Sequence, residues 1–266
     1  MGAALLAAVM TGLATVLGAV PFAFVRELPR RLYDGILGLG AGLMLAAATL
    51  GLLGEALRDV RADGELNVAR LLWVLLGFGS GIVLAAAMDR LIPHRHAGGH
   101  HQHIGHEPGH DVHDRYDREA RRGYAVVGAL TLHRVPEGLA IGAGFAMGGP
   151  SHLGLMLAIA VGLQNVCEGI VMAAPLRQGG VSPMRGLFVV GLAGLATPAA
   201  TLIGFWTAEL ASRSMPFLLA LAAGTLIYIT SNEIIPESHS HGYEGTASAG
   251  VAFGFALTLV LRAVLP

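Results

Sequence analysis

The chain has 266 residues, of which 54% are hydrophobic and only 13% are charged, and its mean hydropathy is +0.62. A soluble domain carries about 25% charged residues, so this composition argues against a water-soluble enzyme or binding module. The 17 basic and 18 acidic residues nearly cancel and give no reason to expect a nucleic-acid partner. The single cysteine, Cys167, excludes a disulfide framework.

Long apolar runs predict about eight membrane-spanning helices, each able to cross a hydrocarbon layer of about 30 Å. No ionisable side chain occurs between Gly2 and Val25, or between Gly35 and Gly54. We therefore expect an all-α, polytopic membrane protein with a single transmembrane domain over residues 1–266, packed as a compact bundle because small residues abound. The predicted spans are 2–25, 33–55, 70–91, 123–147, 153–176, 186–211, 216–235 and 247–264.

The connections between these spans predict the orientation of the chain. Most arginines fall in the connections on one side, and basic connections stay in the cytoplasm, which places both termini outside. The one long connection, residues 92–122, lies on the arginine-rich side and is rich in His, Gly and Asp. We expect it to be a mostly disordered cytoplasmic loop.

The fourth and fifth predicted spans contain polar residues that a membrane helix normally excludes. They lie in the stretches His133-Arg-Val-Pro-Glu-Gly138 and Gln164-Asn-Val-Cys-Glu-Gly169. A charge near the bilayer centre costs about 2.5–3.5 kcal/mol, so these groups must face protein, water or an ion. A buried hydrogen-bond network, such as an Arg134–Glu137 pair, is one explanation for them.

The spacing of the polar residues points instead to a metal site. His133 and Glu137 are four residues apart, as are Gln164 and Glu168, so each pair lies on one helical face. Two such faces, when opposed, offer one imidazole and three oxygen-bearing groups to a Zn²⁺, Fe²⁺ or Mn²⁺ ion. Pro136 is expected to kink its helix and to free a backbone carbonyl as a further ligand.

The two motifs resemble the paired metal-site motifs of the ZIP (Zrt/Irt-like) divalent metal transporters. The stretch Ser231-Asn-Glu-Ile-Ile-Pro-Glu237 is similar to a motif of the bacterial, GufA-like branch of that family. The resemblance implies eight spans and transport of a divalent ion toward the cytoplasm by alternating access. It also implies a place in the inner membrane of a bacterium, surrounded by lipid, and allows a homodimer. The cargo would be Zn²⁺, with Fe²⁺, Mn²⁺ or Cd²⁺ as alternatives, and the protein would be no enzyme and need no catalytic cofactor.

The resemblance also assigns residues. It gives a primary metal site of His133, Glu137, Gln164 and Glu168, the same four residues that the spacing indicates. Family members with a second metal use an Asn after the fourth-span His and a Glu before the sixth-span Pro. This chain has Arg134 and Thr197 in those places, and it keeps only Asn165 of the second-metal residues.

A guanidinium cannot bind a cation, so Arg134 changes the expected chemistry. Our hypothesis is that Arg134 occupies the place of the second metal, pairs with Glu137 and Glu168, and leaves a site for one ion. The alternative is that Arg134 extends away along a cavity wall. Cys167 stands where the family often has Pro. Its thiolate would favour Zn²⁺ or Cd²⁺ as a soft ligand, although most lone buried cysteines are packing residues.

Further residues are expected to line the transport path or to bind metal outside the membrane. The path residues on the inner side are Asp89, Asn232, Glu233, Glu237, His239 and His241, although Asp89 could equally be an interfacial partner of Arg90. Clustered histidines of the long loop bind transition metals even when disordered, and in this family they are expected to sense or buffer imported ions. They are His94, His96, His100, His101, His103, His106, His110 and His113.

Two other functions fit some of these features. A metal exporter of the cation-diffusion type can carry a His-rich loop, but it typically has about six spans and then a cytosolic domain, which is not expected here. An intramembrane zinc hydrolase would use His and Glu on one helix. The predicted spans contain no His-Glu-x-x-His motif, and no second histidine lies at a comparable depth for an open catalytic centre.

Overall fold

The computed structural model describes residues 2–58, 60, 66–91, 111–146, 153–211 and 214–264, and within these ranges the regular elements are all helical. Two π-helical turns, Ala47–Leu53 and Thr230–Ile234, join α3 to α4 and α10 to α11. The α-helices are α1 (Gly2–Ala19), α2 (Pro21–Phe24), α3 (Arg30–Ala46), α4 (Gly54–Arg58), α5 (Val68–Leu91), α6 (Asp111–Ala146), α7 (Leu153–Gln178), α8 (Pro183–Gly194), α9 (Ala196–Ala211), α10 (Met215–Ile229), α11 (Ile235–Ser238) and α12 (Glu244–Val264).

The helices confirm the prediction of an all-α membrane protein. In the described part of the chain, seven helical stretches are long and apolar enough to cross a membrane. They correspond to seven of the eight predicted spans. The remaining predicted span lies in α6, which contains the motif His133–Gly138 and continues as an α-helix through Pro136. Large apolar side chains such as Phe188 and Trp206 are exposed on the outside of the bundle, as expected for a surface that faces lipid.

Helix α6 begins earlier than the sequence pattern predicts. Its first residue is Asp111, whereas the predicted span begins at residue 123. The polar residues between these positions carry no membrane signal, but they continue the same helix. The long connection that was predicted over 92–122 therefore overlaps α6, and residues 92–110 lie outside the described part of the chain.

Close backbone approaches at glycine join five helices into one bundle and link the other long helices in two pairs, α3 with α12 and α5 with α10. The two pairs meet where α10 packs against the π-helical turn Ala47–Leu53 that continues α3, and together they form a second bundle. The first bundle comprises α1, α6, α7, α8 and α9. A side chain at Gly169 of α7 would clash with the carbonyl oxygen of Thr15 in α1, and one at Gly142 of α6 with that of Thr201 in α9. Because these glycines lack a Cβ, the helix backbones can touch.

The second bundle comprises α3, α5, α10 and α12, with the short helices and π-helical turns that continue them. A side chain at Gly38 of α3 would clash with the carbonyl oxygen of Ala247 in α12. One at Gly81 of α5 would clash with the carbonyl oxygen of Leu221 in α10. Both helix pairs therefore pack backbone to backbone, as in the first bundle.

The boundary between the two bundles is built differently. A Cβ at Gly40 of α3 would lie 3.2 Å from the Cβ of Cys167 in α7, and one at Gly51 would lie 3.4 Å from a methyl carbon of Leu157. Among the described glycines, none has a backbone atom of the opposite bundle as its closest neighbour. At the described glycines the two bundles thus meet through side chains, while the first bundle and each helix pair of the second have close backbone contacts.

Candidate metal site

Helices α6 and α7 run side by side and bring the two sequence motifs together. They touch near both ends, where Gly123 packs against Leu176 and Gly154 packs against Phe145. This antiparallel pairing places Glu137 of α6 beside Gln164 of α7. The i, i+4 spacing then directs Glu168 to the same face of α7 as Gln164.

The side-chain amide of Gln164 joins the two carboxylates. Its Nε2 donates a hydrogen bond to Glu137 Oε1 at 2.7 Å and another to Glu168 Oε1 at 2.9 Å. All three side chains are buried, and the most exposed of them, Glu168, is only 3% exposed. Gln164 Oε1 has no hydrogen-bond partner among the described residues. Two carboxylates and an amide therefore converge on one point in the interior of the first bundle.

Arg134 lies beside this cluster and is completely buried. Its Nη2 donates to Glu168 Oε2 at 2.5 Å, and its Nη1 donates to the hydroxyl oxygen of Thr15 in α1 at 2.6 Å. The alternative in which Arg134 extends away along a cavity wall is therefore wrong. A buried charge needs a partner of opposite sign and hydrogen bonds, and Glu168 and Thr15 supply both.

Glu168 uses its two oxygens for different partners. Oε1 accepts from Gln164, on the side where Glu137 also accepts, and Oε2 accepts from Arg134. Two carboxylates against one guanidinium leave an excess negative charge in a buried place when both carboxylates are ionised. This excess favours a cation, and the Oε1 side of Glu168 is the side on which a cation would meet both carboxylates.

The residues predicted for an accessory site point in different directions. Asn165 is buried and donates to the backbone oxygen of Thr11 in α1 at 2.9 Å. Thr197 of α9 is buried, and its hydroxyl has no hydrogen-bond partner among the described residues. Cys167 is a free, buried thiol at the boundary with α3, where it packs beside Gly40. Among the side chains that the structure describes, Arg134 is the accessory residue with a hydrogen bond to the predicted primary site.

Comparison with known proteins agrees with the motifs. A family model described as ZIP zinc transporter matches residues 93–262. The chain is 37% identical over 262 residues to zinc transporter GufA of Myxococcus xanthus, an alignment that covers 98% of each protein. The chain belongs to the ZIP family. It is also 34% identical over 252 residues to zinc transporter ZIPB of Bordetella bronchiseptica, covering 95% of this chain and 78% of that protein.

The relatives confirm the predicted resemblance to the bacterial, GufA-like branch of the ZIP family. Zinc transporter ZupT of Corynebacterium aurimucosum is a further bacterial relative, 30% identical over 267 residues with coverage of 96% of this chain and 94% of that protein. Together with the apolar helices, these similarities make the chain a multi-pass membrane protein of a transporter family.

Several predicted residues lie where no side chain is described. His133 belongs to α6 and Asp89 to α5, but their side chains are outside the described part. Seven histidines of the long loop lie outside the described residues. The eighth, His113, is in the first turn of α6 with its side chain outside the described part. Within that part, no three or more His, Cys, Asp or Glu residues form a group that could hold a metal ion.

The predicted path residues of the seventh span are grouped around the end of α10. Asn232 and Glu233 lie in the π-helical turn Thr230–Ile234, and Glu237 lies in α11. His239 bonds through both ring nitrogens, Nδ1 to the backbone oxygen of Ile235 at 2.9 Å and Nε2 to the Ser248 hydroxyl at 3.0 Å.

His241 has a different environment. Its Nδ1 lies 2.8 Å from Asp34 Oδ1, and its ring packs edge-on against Tyr33. The histidine is thus attached to the beginning of α3 through a carboxylate that is fully buried.

Sequence reasoning missed three residues of the polar network, Thr11, Thr15 and Asp34. Thr11 and Thr15 lie four residues apart in an otherwise apolar span, which is a signal for one polar stripe, but a threonine also satisfies its hydroxyl within its own helix. Asp34 lies at the edge of its span, where a charge needs no special explanation. The packing of α1 against α6 and α7, and of α3 against the turn before α12, shows which partners these residues have.

Proposed function

We propose that this protein moves a divalent transition-metal ion, zinc first of all, across the inner membrane of a bacterium toward the cytoplasm. The single observation that carries the proposal is the convergence of Glu137 and Glu168 on the amide of Gln164, in the interior of a chain of the ZIP family. Ionisable residues at such a depth are costly unless they serve an ion or substrate path. The relatives GufA, ZIPB and ZupT are named zinc transporters, and their names support the choice of ion.

In the loaded site, the ion takes the point that the Gln164 amide nitrogen occupies. Glu137 and Glu168 bind it through oxygen, and Gln164 turns its amide so that Oε1 faces the ion. His133 lies one helical turn before Glu137 and supplies the imidazole of the predicted ligand set. A mixed set of nitrogen and oxygen ligands suits Zn²⁺, with Fe²⁺, Mn²⁺ and Cd²⁺ as further cargoes.

Arg134 limits this site to one ion. Its guanidinium already neutralises one carboxylate and would repel a second cation placed beside Glu168. Thr197 brings no carboxylate from α9 to offset that repulsion. Because Arg134 uses Oε2 and leaves Oε1 to the side shared with Glu137, one ion and the guanidinium can bind Glu168 together.

The two bundles supply the moving parts for alternating access. The site residues all belong to α6 and α7 of the first bundle, and the boundary with the second bundle contains only side-chain contacts at its described glycines. A boundary of this kind can slide or rock, whereas the backbone contacts inside each bundle resist it. We infer that the first bundle carries the site past the second bundle, from the outer to the cytoplasmic side.

Beyond the site, Asn232, Glu233 and Glu237 on the second bundle receive the ion on its way to the cytoplasm. The histidines of the long loop then buffer it. Membership of the ZIP family favours this transporter over a cation-diffusion exporter and over an intramembrane zinc hydrolase.

The test is uptake of labelled Zn²⁺ into proteoliposomes. Glu137→Ala and Glu168→Ala should each lower uptake by more than about 100-fold, because each removes a charged ligand. Glu55→Ala is the matched control, since Glu55 is a carboxylate that pairs with exposed Arg58 outside the site. The control should retain uptake. An exporter would move Zn²⁺ in the opposite sense, and a hydrolase would show no uptake at all.

Counting metal ions tests the role of Arg134. A variant that keeps Arg134, with its loop histidines replaced by alanine, should bind one tight intramembrane ion. The double variant Arg134→Asn with Thr197→Glu should bind two. Two ions in the chain that keeps Arg134 would contradict the one-ion site.

A further inference from the structure

A carboxylate–histidine pair lies at the end of the second bundle, far along the chain from the site on α6 and α7. Asp34 in the second turn of α3 is completely buried, and its Oδ1 lies 2.8 Å from His241 Nδ1 in the turn between α11 and α12. The side chain of His241 is 26% exposed. One end of this pair is therefore closed off by protein and the other is open.

The pair fixes which ring nitrogen of His241 carries the proton. An ionised carboxylate only accepts hydrogen bonds, so Nδ1 donates its hydrogen to Asp34. In a neutral imidazole, Nε2 then keeps its lone pair. Nε2 makes no hydrogen bond to a described residue. A histidine whose far nitrogen donates to a carboxylate is the arrangement that proteins use to orient a metal-binding imidazole.

The charge of Asp34 points the same way. Oδ2 of Asp34 has no hydrogen-bond partner among the described residues, and His241 is the partner that the structure shows for this carboxylate. A buried carboxylate beside a neutral imidazole is poorly compensated. A cation bound at Nε2 supplies the missing positive charge through the ring.

The neighbouring His239 shows that this arrangement is specific to His241. Both nitrogens of His239 bond to protein, one to the backbone oxygen of Ile235 and one to Ser248. Its ring is fully used in holding the turn. Of the two histidines in this turn, only His241 presents a free nitrogen to the outside.

We propose that His241 Nε2 is a metal-binding position for the divalent cargo and that Asp34 is the residue that positions it. The inference rests on the proposed transport function and deepens it. His241 lies beyond Asn232, Glu233 and Glu237 in chain order, at the end of the second bundle where α3 begins and the arginine-rich connections lie. It accepts the ion after the intramembrane site has opened to that side, and so speeds release.

Transport kinetics test the role of the pair. His241→Asn should lower the maximal uptake rate of Zn²⁺ about tenfold, because the imidazole ligand is lost, and should leave KM nearly unchanged, because loading occurs at the intramembrane site. Asp34→Asn should lower the same rate by a smaller factor, since the ring of His241 keeps a hydrogen-bond acceptor but loses the negative charge of the carboxylate. It should also raise the Zn²⁺ concentration that half-saturates the His241 position. Equal rates in His241→Asn and wild type would overturn the proposal.

Ser248→Ala provides the matched control. It removes the hydrogen bond between the Ser248 hydroxyl and His239, the neighbouring histidine of this turn, and leaves the bond between His241 and Asp34 in place. Uptake should stay at the wild-type rate. A loss as large as that of His241→Asn would show that any disturbance of the turn slows transport, and it would refute a specific role for the imidazole.

A binding measurement separates this inference from the transport proposal. In His241→Cys the new thiol should react with a maleimide, and Cd²⁺ should slow the reaction at least about tenfold, because thiolates bind this ion tightly. Tyr243→Cys, at an exposed position that follows the same turn, should react equally fast with and without Cd²⁺, and native Cys167 is buried. Equal Cd²⁺ effects at both positions would reject the metal position even in a chain that transports zinc.

Discussion

The two bundles differ in what they bury. The first bundle encloses Arg134, Glu137 and Glu168 together with the amides of Gln164 and Asn165. In the described part of the second bundle, the buried polar groups are the carboxylate of Asp34 and a few hydroxyls, several of which bond to backbone oxygens. The first bundle therefore encloses a cluster of charged and amide groups, whereas the described part of the second encloses one carboxylate and a few hydroxyls. This division suits a carrier in which the ligands travel with one body and the other stays in place.

The largest expected effect comes from fastening the two bundles together. A Cβ at Gly40 would lie 3.2 Å from the Cβ of Cys167, a few tenths of an ångström short of the roughly 3.5–4.5 Å found in disulfides. After a shift of that size, Gly40→Cys should form a bond with the native cysteine on oxidation. Oxidation should then abolish Zn²⁺ uptake, and a reductant should restore it. The measurement is uptake before oxidation, after it, and after reduction.

Two controls complete this experiment. Gly40→Cys with Cys167→Ser should be insensitive to oxidation, and Gly40→Ala should separate the effect of added bulk from that of the bond. Full uptake by the cross-linked protein would mean that α3 and α7 do not move past each other, and the division into a moving and a fixed body would fail.

The next effect concerns the charge inside the first bundle. Arg134→Ala leaves Glu168 buried without its ion-pair partner, and breaking such a pair costs about 3–5 kcal/mol of folding free energy. Zn²⁺ can replace the lost positive charge. Thermal unfolding in detergent should therefore show a lower Tm for Arg134→Ala and a larger rise in Tm on adding Zn²⁺ than in wild type.

Arg134→Lys is the matched variant for this prediction. Lysine keeps the positive charge but lacks the two guanidinium nitrogens that bond Thr15 and Glu168 together. The Tm of this variant should therefore lie between those of the wild type and Arg134→Ala. If Zn²⁺ raised the Tm of all three proteins equally, the bound ion would not be replacing the positive charge of the guanidinium, and this prediction would fail.

A smaller loss of stability is expected when a methyl group is added to a glycine that touches the backbone of another helix, and none when it is added to a glycine with open space around it. Gly142→Ala places a methyl group against the carbonyl oxygen of Thr201 and should push α6 away from α9, at a cost of about 1–3 kcal/mol. Gly79→Ala in α5 is the control, because nothing lies within 4 Å of its added Cβ. The free energy of unfolding, from denaturant titration, should fall only for Gly142→Ala, and equal losses would remove the basis for grouping the helices by their glycines.

The smallest effect is expected from the loop that joins the two bundles between α5 and α6. Replacing the seven histidines of this loop and His113 of α6 with alanine should change the initial uptake rate by less than about twofold, because we expect these histidines to bind ions that have already crossed. Proteoliposome uptake over the first minutes measures this. Loss of uptake by a folded variant would place the loop in the transport path.

Much of this molecule follows from local sequence. A membrane span is encoded by the length of an apolar run, so the helices around Gly2–Phe24 and Glu244–Val264 could be predicted within a few residues. The i, i+4 spacing of Gln164 and Glu168 also sufficed to place them on one face, where the structure shows them bonded.

The rest depends on contacts between distant segments. The partner of Arg134, Thr15, lies 119 residues away, and His241 lies 207 residues from Asp34. No periodicity within a helix encodes such pairs. The polar start of α6 at Asp111 escaped prediction for another reason, because hydropathy detects the part of a helix that faces lipid and not the part that extends beyond it.

The fork of Arg134 touches α1 through Thr15 and α7 through Glu168 while belonging to α6. One guanidinium thus connects three helices, and an ion that binds Glu168 should displace all three together. Binding of an ion at the site should consequently change the positions of helices that do not contact it. A pair of spectroscopic labels, one on the N-terminal helix and one on the opposite bundle, should register the arrival of zinc without touching its ligands.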